Sequence, residues 1–161
     1  MRWRLWAPWR MSYVAASRPS SGCVFCQASS AGDDRAHLVL HRGDLGYLLL
    51  NAFPYACGHL MAVVYRHVPG LADATRDELT ELMTLATRAT TLLGAEYGAQ
   101  GFNVGVNLGR AAGAGIAEHL HLHVVPRWNG DANFVAVVGG VRVLPEALTV
   151  TYDRLRRRLH G

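Results

Sequence analysis

His119-Leu120-His121-Leu122-His123-Val124 alternates imidazole and aliphatic side chains, and it continues through Val125 and Pro126. Successive side chains of an extended strand point to opposite faces. The spacing therefore predicts a strand over His119–Pro126, with the three rings on one face and Leu120, Leu122 and Val124 in the core. Buried imidazoles need partners, so a row of three is a costly way to build a core. The row is entered through a flexible stretch, 109–115, in which Gly109, Gly113 and Gly115 lack the side chains that would keep backbone N–H groups away from an anion. Together the two features suggest a phosphate held beside a nucleophile. Imidazole suits that role: an ordinary pKa of ~6.5 leaves much of it neutral near pH 7, and a ring nitrogen can attack phosphorus to give a phosphoramidate. His121, with a neighbour on either side, is the candidate nucleophile. A metal site made of the three rings, or a plain exposed strand face, are the alternatives that the residues leave open.

Outward from this segment, apolar runs at His37–His41 and Gly46–Asn51 flank Arg42-Gly43-Asp44 and read as a hairpin. Pro54 and Gly58 bracket a turn before another strand over His59–Tyr65. Phe102–Leu108 reads as a strand, and Phe134–Val138 as a strand or extended arm. Between these the period changes. Leu79, Leu82, Met83, Ala86, Ala89, Leu93 and Tyr97 recur at helical steps, opened by a Thr75/Glu78 capping-box pattern and stopped at Gly98, which predicts a helix from Thr75 to Tyr97. A C-terminal helix over Pro145–Leu159 carries Leu148, Tyr152, Leu155 and Leu159 on one face, while Ser17–Gly32, rich in Ser and Gly, reads as a loop. The expected fold class is α+β: an antiparallel sheet with one long inserted helix and a C-terminal helix. One domain is expected over 1–161, with an N-terminal arm at 1–22 and a C-terminal extension at 129–161.

The chain of 161 residues is 50% hydrophobic and 17% charged, enough for one sizeable core. Its formal charge of +4 gathers at the ends, at Arg2, Arg4 and Arg10 and at Arg154, Arg156, Arg157 and Arg158. The middle is mildly acidic, which argues against a nucleic-acid face. The basic, Trp-rich start lacks the apolar core and cleavage site of a signal peptide, and no run approaches the ~20 apolar residues of a membrane span. A cytoplasmic protein that engages no membrane is expected. Cys23, Cys26 and Cys57 do not describe a disulfide framework. Cys23-x-x-Cys26 fits half of a thiolate zinc site or a redox pair, although a redox pair would want a helix start after a strand, which the Ser/Gly-rich approach does not supply. Cys57 is given no role.

The string HLHLHVVPRWNGDANF (119–134) resembles the signature of the histidine-triad (HIT) superfamily, in its diadenosine tetraphosphate phosphorylase branch. The resemblance extends to RLWAPWRMSYV (4–14), LNAFPYACGHLMAVVYRH (50–67) and GFNVGVNLGRAAGAGIAEH (101–119), in the expected order. It implies a homodimeric HIT-like domain that splits dinucleoside polyphosphates through a nucleotidyl-His121 intermediate, with phosphate or water as the second acceptor. The dimer interface would use the long helix and the neighbouring sheet edge. His119, His123 and His59 would be the supporting imidazoles. Asn51 matches a ribose-binding position, and Asn107 with Gly113, Ala114 and Gly115 matches the phosphate-binding segment. Read on their own, Asn51 and Asn107 also fit as turn residues, the lesser of the two readings for each. The resemblance further implies a structural zinc held by Cys23, Cys26, His67 and His119, and a chemistry that needs no metal, although Mg²⁺ can accompany the polyphosphate. Gly115 departs from the family pattern, which has Gln or Ser there; Arg110 can supply charge to a phosphate in its place, or be merely solvated. That departure keeps one alternative in view, a nucleotidyl hydrolase or transferase acting on another nucleotide conjugate or a phosphoramidate; a nucleotide-binding protein without turnover is a separate alternative, which the intact triad disfavours.

Overall fold

The computed structural model describes residues 22–131 and 146–160. The expected strand at Phe134–Val138, most of the N-terminal arm, the basic cluster at Arg2, Arg4 and Arg10, and Pro145 lie outside the described residues. Five strands, β1 (Val39–Arg42), β2 (Gly46–Leu50), β3 (Leu60–Val64), β4 (Gly101–Gly105) and β5 (His121–Arg127), form one antiparallel sheet in the order β1-β2-β3-β5-β4. The strands fall where the apolar runs predict them, within a few residues at each end. In the β3–β5 register Met61 faces His123 and Val63 faces His121.

The alternation in β5 sorts residues between two cores. Leu120, Leu122 and Val124 join Leu40, Leu48, Leu50, Leu60, Ala62 and Val64 on the face covered by α2 (Arg76–Tyr97) and α3 (Leu148–His160). The opposite face gathers Val39, Tyr47, Leu49, Met61 and Val63 under Phe25 and Ala28 of α1 (Val24–Ser30). Because both faces are covered, β2 and β3 are buried at every position, and each leucine fully removed from water contributes roughly 1.5–3 kcal/mol.

Helix α2 opens as the Thr75/Glu78 spacing predicts. Glu78 N–H donates to Thr75 Oγ1 at 3.2 Å, and Thr75 N–H donates to Glu78 Oε2 at 2.7 Å. Arg66, two residues beyond β3, donates two bonds to the same carboxylate, at 2.7 and 2.6 Å, which with the cap holds it down at about 2. The helix stops at left-handed Gly98. Its buried stripe differs in detail from the expected one: Leu85 and Leu92 are buried, whereas Met83 is 55% exposed, because the face turned to the sheet is centred on Leu82, Ala86, Ala89 and Leu93.

The expected loop at Ser17–Gly32 is corrected over its second half, where Val24–Ser30 is helical. What stabilises this short helix lies far away in sequence. The Arg42 guanidinium donates to the carbonyls of Ala28, Ser29 and Ala31, three acceptors that the helix end leaves without intrahelical partners. Phe25 and Ala28 are 3% exposed against the sheet. Helix α3 is held by Tyr152 Oη–H donating to Val39 O at 3.0 Å and by Arg154, which pairs with Glu96 and Glu146.

Candidate functional site

Two groups of side chains meet on the α1 side of the sheet. In the first, one ligand atom each from Cys23, Cys26, His67 and His119 lie within 4.8 Å of one another. Cys23 Sγ and Cys26 Sγ are 3.3 and 3.5 Å from His119 Nδ1, and Cys26 Sγ is 3.3 Å from His67 Nδ1. A tetrahedral ion with metal–sulfur and metal–nitrogen distances of ~2.3 and ~2.0–2.1 Å spaces such donors by about 3.6 Å. The protonation of His119 agrees with ligation: its Nε2 lies 2.8 Å from Val64 O, which can only accept. Nε2 carries the hydrogen, and Nδ1 is left with its lone pair towards the thiols. The structure corrects one step of the sequence argument, since Cys23 is the N-cap of α1 and the pair does open a helix. Two imidazoles converging on the thiols distinguish this cluster from a bare dithiol.

The second group is built on His121, His123 and His59. His121 Nδ1–H donates to His119 O at 2.8 Å, so Nε2 of His121 bears an unshared pair. The partners of His59 set the state of His123. Tyr55 N–H, which can only donate, points at His59 Nδ1 at 3.0 Å, and the Asn51 amide reaches the same atom at 3.3 Å. His59 therefore carries its hydrogen on Nε2 and donates it to His123 Nδ1 at 3.0 Å. By exclusion, neutral His123 holds its own hydrogen on Nε2, and that nitrogen is a buried polar atom with no partner among the described residues. One ring thus offers a nucleophilic lone pair while its neighbour, 4.9 Å away between centroids, offers an N–H donor. Burial pushes both groups down, His123 to about 4 with the adjacent His121 adding to the effect. Both rings are neutral near pH 7.

Backbone geometry explains how the His59 ring reaches this position. Gly58, immediately before it, has φ +78°, and a Cβ there would sit 2.7 Å from Leu93 Cδ2, so any other residue is strained in the turn into β3 and must displace the end of Leu93. The stretch after β4 is more ordered than expected: Arg110–Ala112 forms a 3₁₀ turn between Gly109 and Gly113. The amides of Ala112, Gly113 and Ala114 donate to Gly109 O and Arg110 O and close the turn on itself.

The residues singled out in the sequence separate as follows. His59, His121 and His123 come together, whereas His119, which precedes β5, turns to the cysteines and is both a neighbour of the row and a member of the metal cluster. Asn51 is 9% exposed; its Oδ1 accepts from Phe53 N–H and its amide braces His59, a turn role in this state of the protein. Asn107 is half-buried beyond β4, whose last residue, Gly105, pairs with His123. Ala114 is buried and Gly115 exposed, while Arg110 and Glu118 form an exposed pair at 3.8 Å. Sequence reasoning missed Phe25, whose ring lies against His119 and His121, and Tyr55, whose ring covers His59 and whose amide fixes the tautomers. The only advance signal for Phe25 was its place between the cysteines.

Residues 34–130 match the HIT domain family. The chain is 45% identical over 156 residues to a Mycobacterium tuberculosis protein named AP-4-A phosphorylase, covering 92% of this chain and 80% of that one. It is 32% identical over 93 residues to the asymmetrical bis(5'-nucleosyl)-tetraphosphatase of Schizosaccharomyces pombe, covering 58% and 50% of the two chains. Among solved structures, a zinc-bound histidine triad family protein from Mycobacterium smegmatis superposes with a TM-score of 0.69 at 27% identity, over 86% of this chain and 93% of that one.

Proposed function

Because this chain belongs to the HIT family, we propose that it processes diadenosine polyphosphates by nucleotidyl transfer through His121. It is an enzyme of the family's nucleotide phosphorylase/hydrolase class. The observation that carries the reading is the pair of fixed tautomers: an unshared pair on His121 Nε2 beside an unpartnered N–H on His123 Nε2.

In the first half-reaction His121 Nε2 attacks the α-phosphorus of diadenosine tetraphosphate. A P–N bond forms, the P–O bond to the departing group breaks, and ATP leaves with the electron pair. The His123 N–H donates to an oxygen of the reacting phosphate and stabilises the negative charge there. His59 contributes by keeping that hydrogen on Nε2. In the second half-reaction an oxygen of inorganic phosphate attacks the same phosphorus, the P–N bond breaks, ADP forms and His121 regains its lone pair. Water in place of phosphate gives AMP. Asn51 is assigned to the ribose and Asn107, Gly113, Ala114, Gly115 and Arg110 to the phosphates, which requires Asn51 and the Gly113 and Ala114 amides to leave their turn bonds and Arg110 to exchange Glu118 for the substrate.

The Cys23, Cys26, His67 and His119 cluster is assigned a structural zinc, whose mixed thiolate and imidazole donors suit that ion. It would tie α1 to the start of β5 and supply no step of the reaction; Mg²⁺ would arrive with the polyphosphate. A single domain over 1–161 and a homodimer joined through α2 and the exposed edge strand β4 complete the reading, with action in the cytoplasm. No helix of the described residues is long and apolar enough to cross a membrane.

Incubation with diadenosine tetraphosphate tests the assignment: ADP and ATP formed only when phosphate is present supports phosphorolysis, and AMP and ATP in either condition supports hydrolysis. Gly115, where the family pattern has Gln or Ser, favours one second reading, transfer from another nucleotide conjugate or a phosphoramidate. Faster turnover of an adenosine phosphoramidate than of the tetraphosphate would establish it.

A further inference from the structure

Of the two residues between the cysteines, one faces solvent and the other does not. Phe25 is 3% exposed, while its neighbour Val24 is 48% exposed. The Phe25 ring lies 5.4 Å from the His119 ring, edge-on at 68°, and 4.9 Å from the His121 ring, tilted at 45°. Its backbone is pinned independently, because Tyr47 Oη–H, itself buried, donates to Phe25 O at 2.7 Å. It packs with Val39, Tyr47, Leu49, Met61 and Val63 in one buried apolar cluster.

Among the described residues, the His121 ring has one polar anchor, the Nδ1–H bond to His119 O. That single bond fixes which nitrogen is protonated but leaves the ring able to swing about it. Ring contacts restrict the swing, and among the described residues both His123, at 4.9 Å and 74°, and Phe25, at 4.9 Å and 45°, make one. The Phe25 wall belongs to the segment that carries Cys23 and Cys26, and both cysteines converge on His119, the residue whose carbonyl anchors His121. The same short helix therefore touches the His121 ring directly and reaches its anchor through the thiols.

We propose that Phe25 is a positioning residue for His121, holding the imidazole in the orientation in which Nε2 meets the phosphorus and linking the order of the cysteine segment to that orientation. The proposal rests on the reading of His121 as nucleophile. It predicts an effect on the bond-forming step rather than on nucleotide binding, because Phe25 contacts the histidine rings. A ring free to swing spends less time aligned for attack, and misplacement of a reacting group by about 1 Å costs up to ~100-fold.

The test compares Phe25→Leu, which keeps an apolar group under the sheet, with Val24→Ala, a solvent-facing control in the same helix. Three readouts are taken on the full chain as purified: the single-turnover rate of His121 nucleotidylation by diadenosine tetraphosphate, the Kd for AMP, and the ¹H–¹⁵N spectrum of the His121 ring. The proposal expects Phe25→Leu to lower the nucleotidylation rate about tenfold or more, to leave the Kd within about twofold, and to shift and broaden the His121 ring resonances at unchanged zinc content. Val24→Ala should match the wild type in all three. Should Phe25→Leu not accumulate as folded protein, Phe25→Met takes its place with the same expectations. A nucleotidylation rate and ring spectrum indistinguishable from wild type would overturn the proposal, as would a loss confined to Kd. The spectrum reports ring placement whether or not an adduct forms, so a wild type that forms no adduct defeats the nucleophile reading separately from the positioning one.

Discussion

Glu78→Gln is expected to weaken the protein near neutral pH and to become harmless in acid. The Glu78 carboxylate is 4% exposed and accepts two bonds from Arg66 and one from Thr75 N–H, and these hold it at about 2. In the unfolded chain it titrates near ~4.3, and the difference corresponds to at most about 3 kcal/mol at 1.36 kcal/mol per pKa unit. The Arg66 side chain is 53% exposed, so solvent screening reduces the contribution to roughly 1–2 kcal/mol. A group whose folded pKa is depressed stabilises fully above its unfolded pKa and loses that contribution as pH falls through the folded one. The stability gap between wild type and Glu78→Gln should thus be about 1–2 kcal/mol at pH 6–7 and shrink from about pH 5 downwards. Urea unfolding of both proteins at pH 7, 5, 4 and 3 measures it. A gap that stays constant over that range would show that the amide loses packing or cap geometry rather than charge, and the argument would fail. The consequence reaches the site, because Arg66 directly precedes the metal-cluster residue His67.

Cys26→Ser should lower bound zinc, measured by elemental analysis, and cost roughly 3 kcal/mol, a Tm drop of about 6–12 °C; a full complement of metal in the variant would contradict the assigned ligands. Gly58→Ala should destabilise by about 2 kcal/mol or more, since it places a Cβ at positive φ and against Leu93; an unchanged urea midpoint would show that the turn before His59 relaxes freely. His59→Leu should slow nucleotide transfer by about 10–100-fold, because nothing then keeps the hydrogen of His123 on Nε2, and a rate within twofold of wild type would dismiss the relay.

The strands, the long helix and the face on which His121 and His123 sit were legible because each is set by local periodicity. Leu120, Leu122 and Val124 entered one core and the two histidines the other, as alternation requires. What escaped depends on partners distant in sequence. Helix α1 looked like a loop because its carbonyls are satisfied by Arg42, which no local pattern reveals. Met83 matched the helical period yet faces outward, since a period fixes the stripe only to within one neighbouring row. The division of labour within the histidine row was invisible for the same reason: His119 turns to cysteines more than ninety residues away, and the hydrogen on His123 is dictated by Tyr55 N–H through His59.

The central claim is tested most directly by rapid-quench intact-mass analysis of wild type mixed with diadenosine tetraphosphate, followed by peptide mapping. The account predicts one AMP moiety, attached to His121 and chased off by phosphate or water, and no such species in His121→Asn. Products forming at full rate without a covalent adduct, or an adduct mapping to another residue, would contradict it.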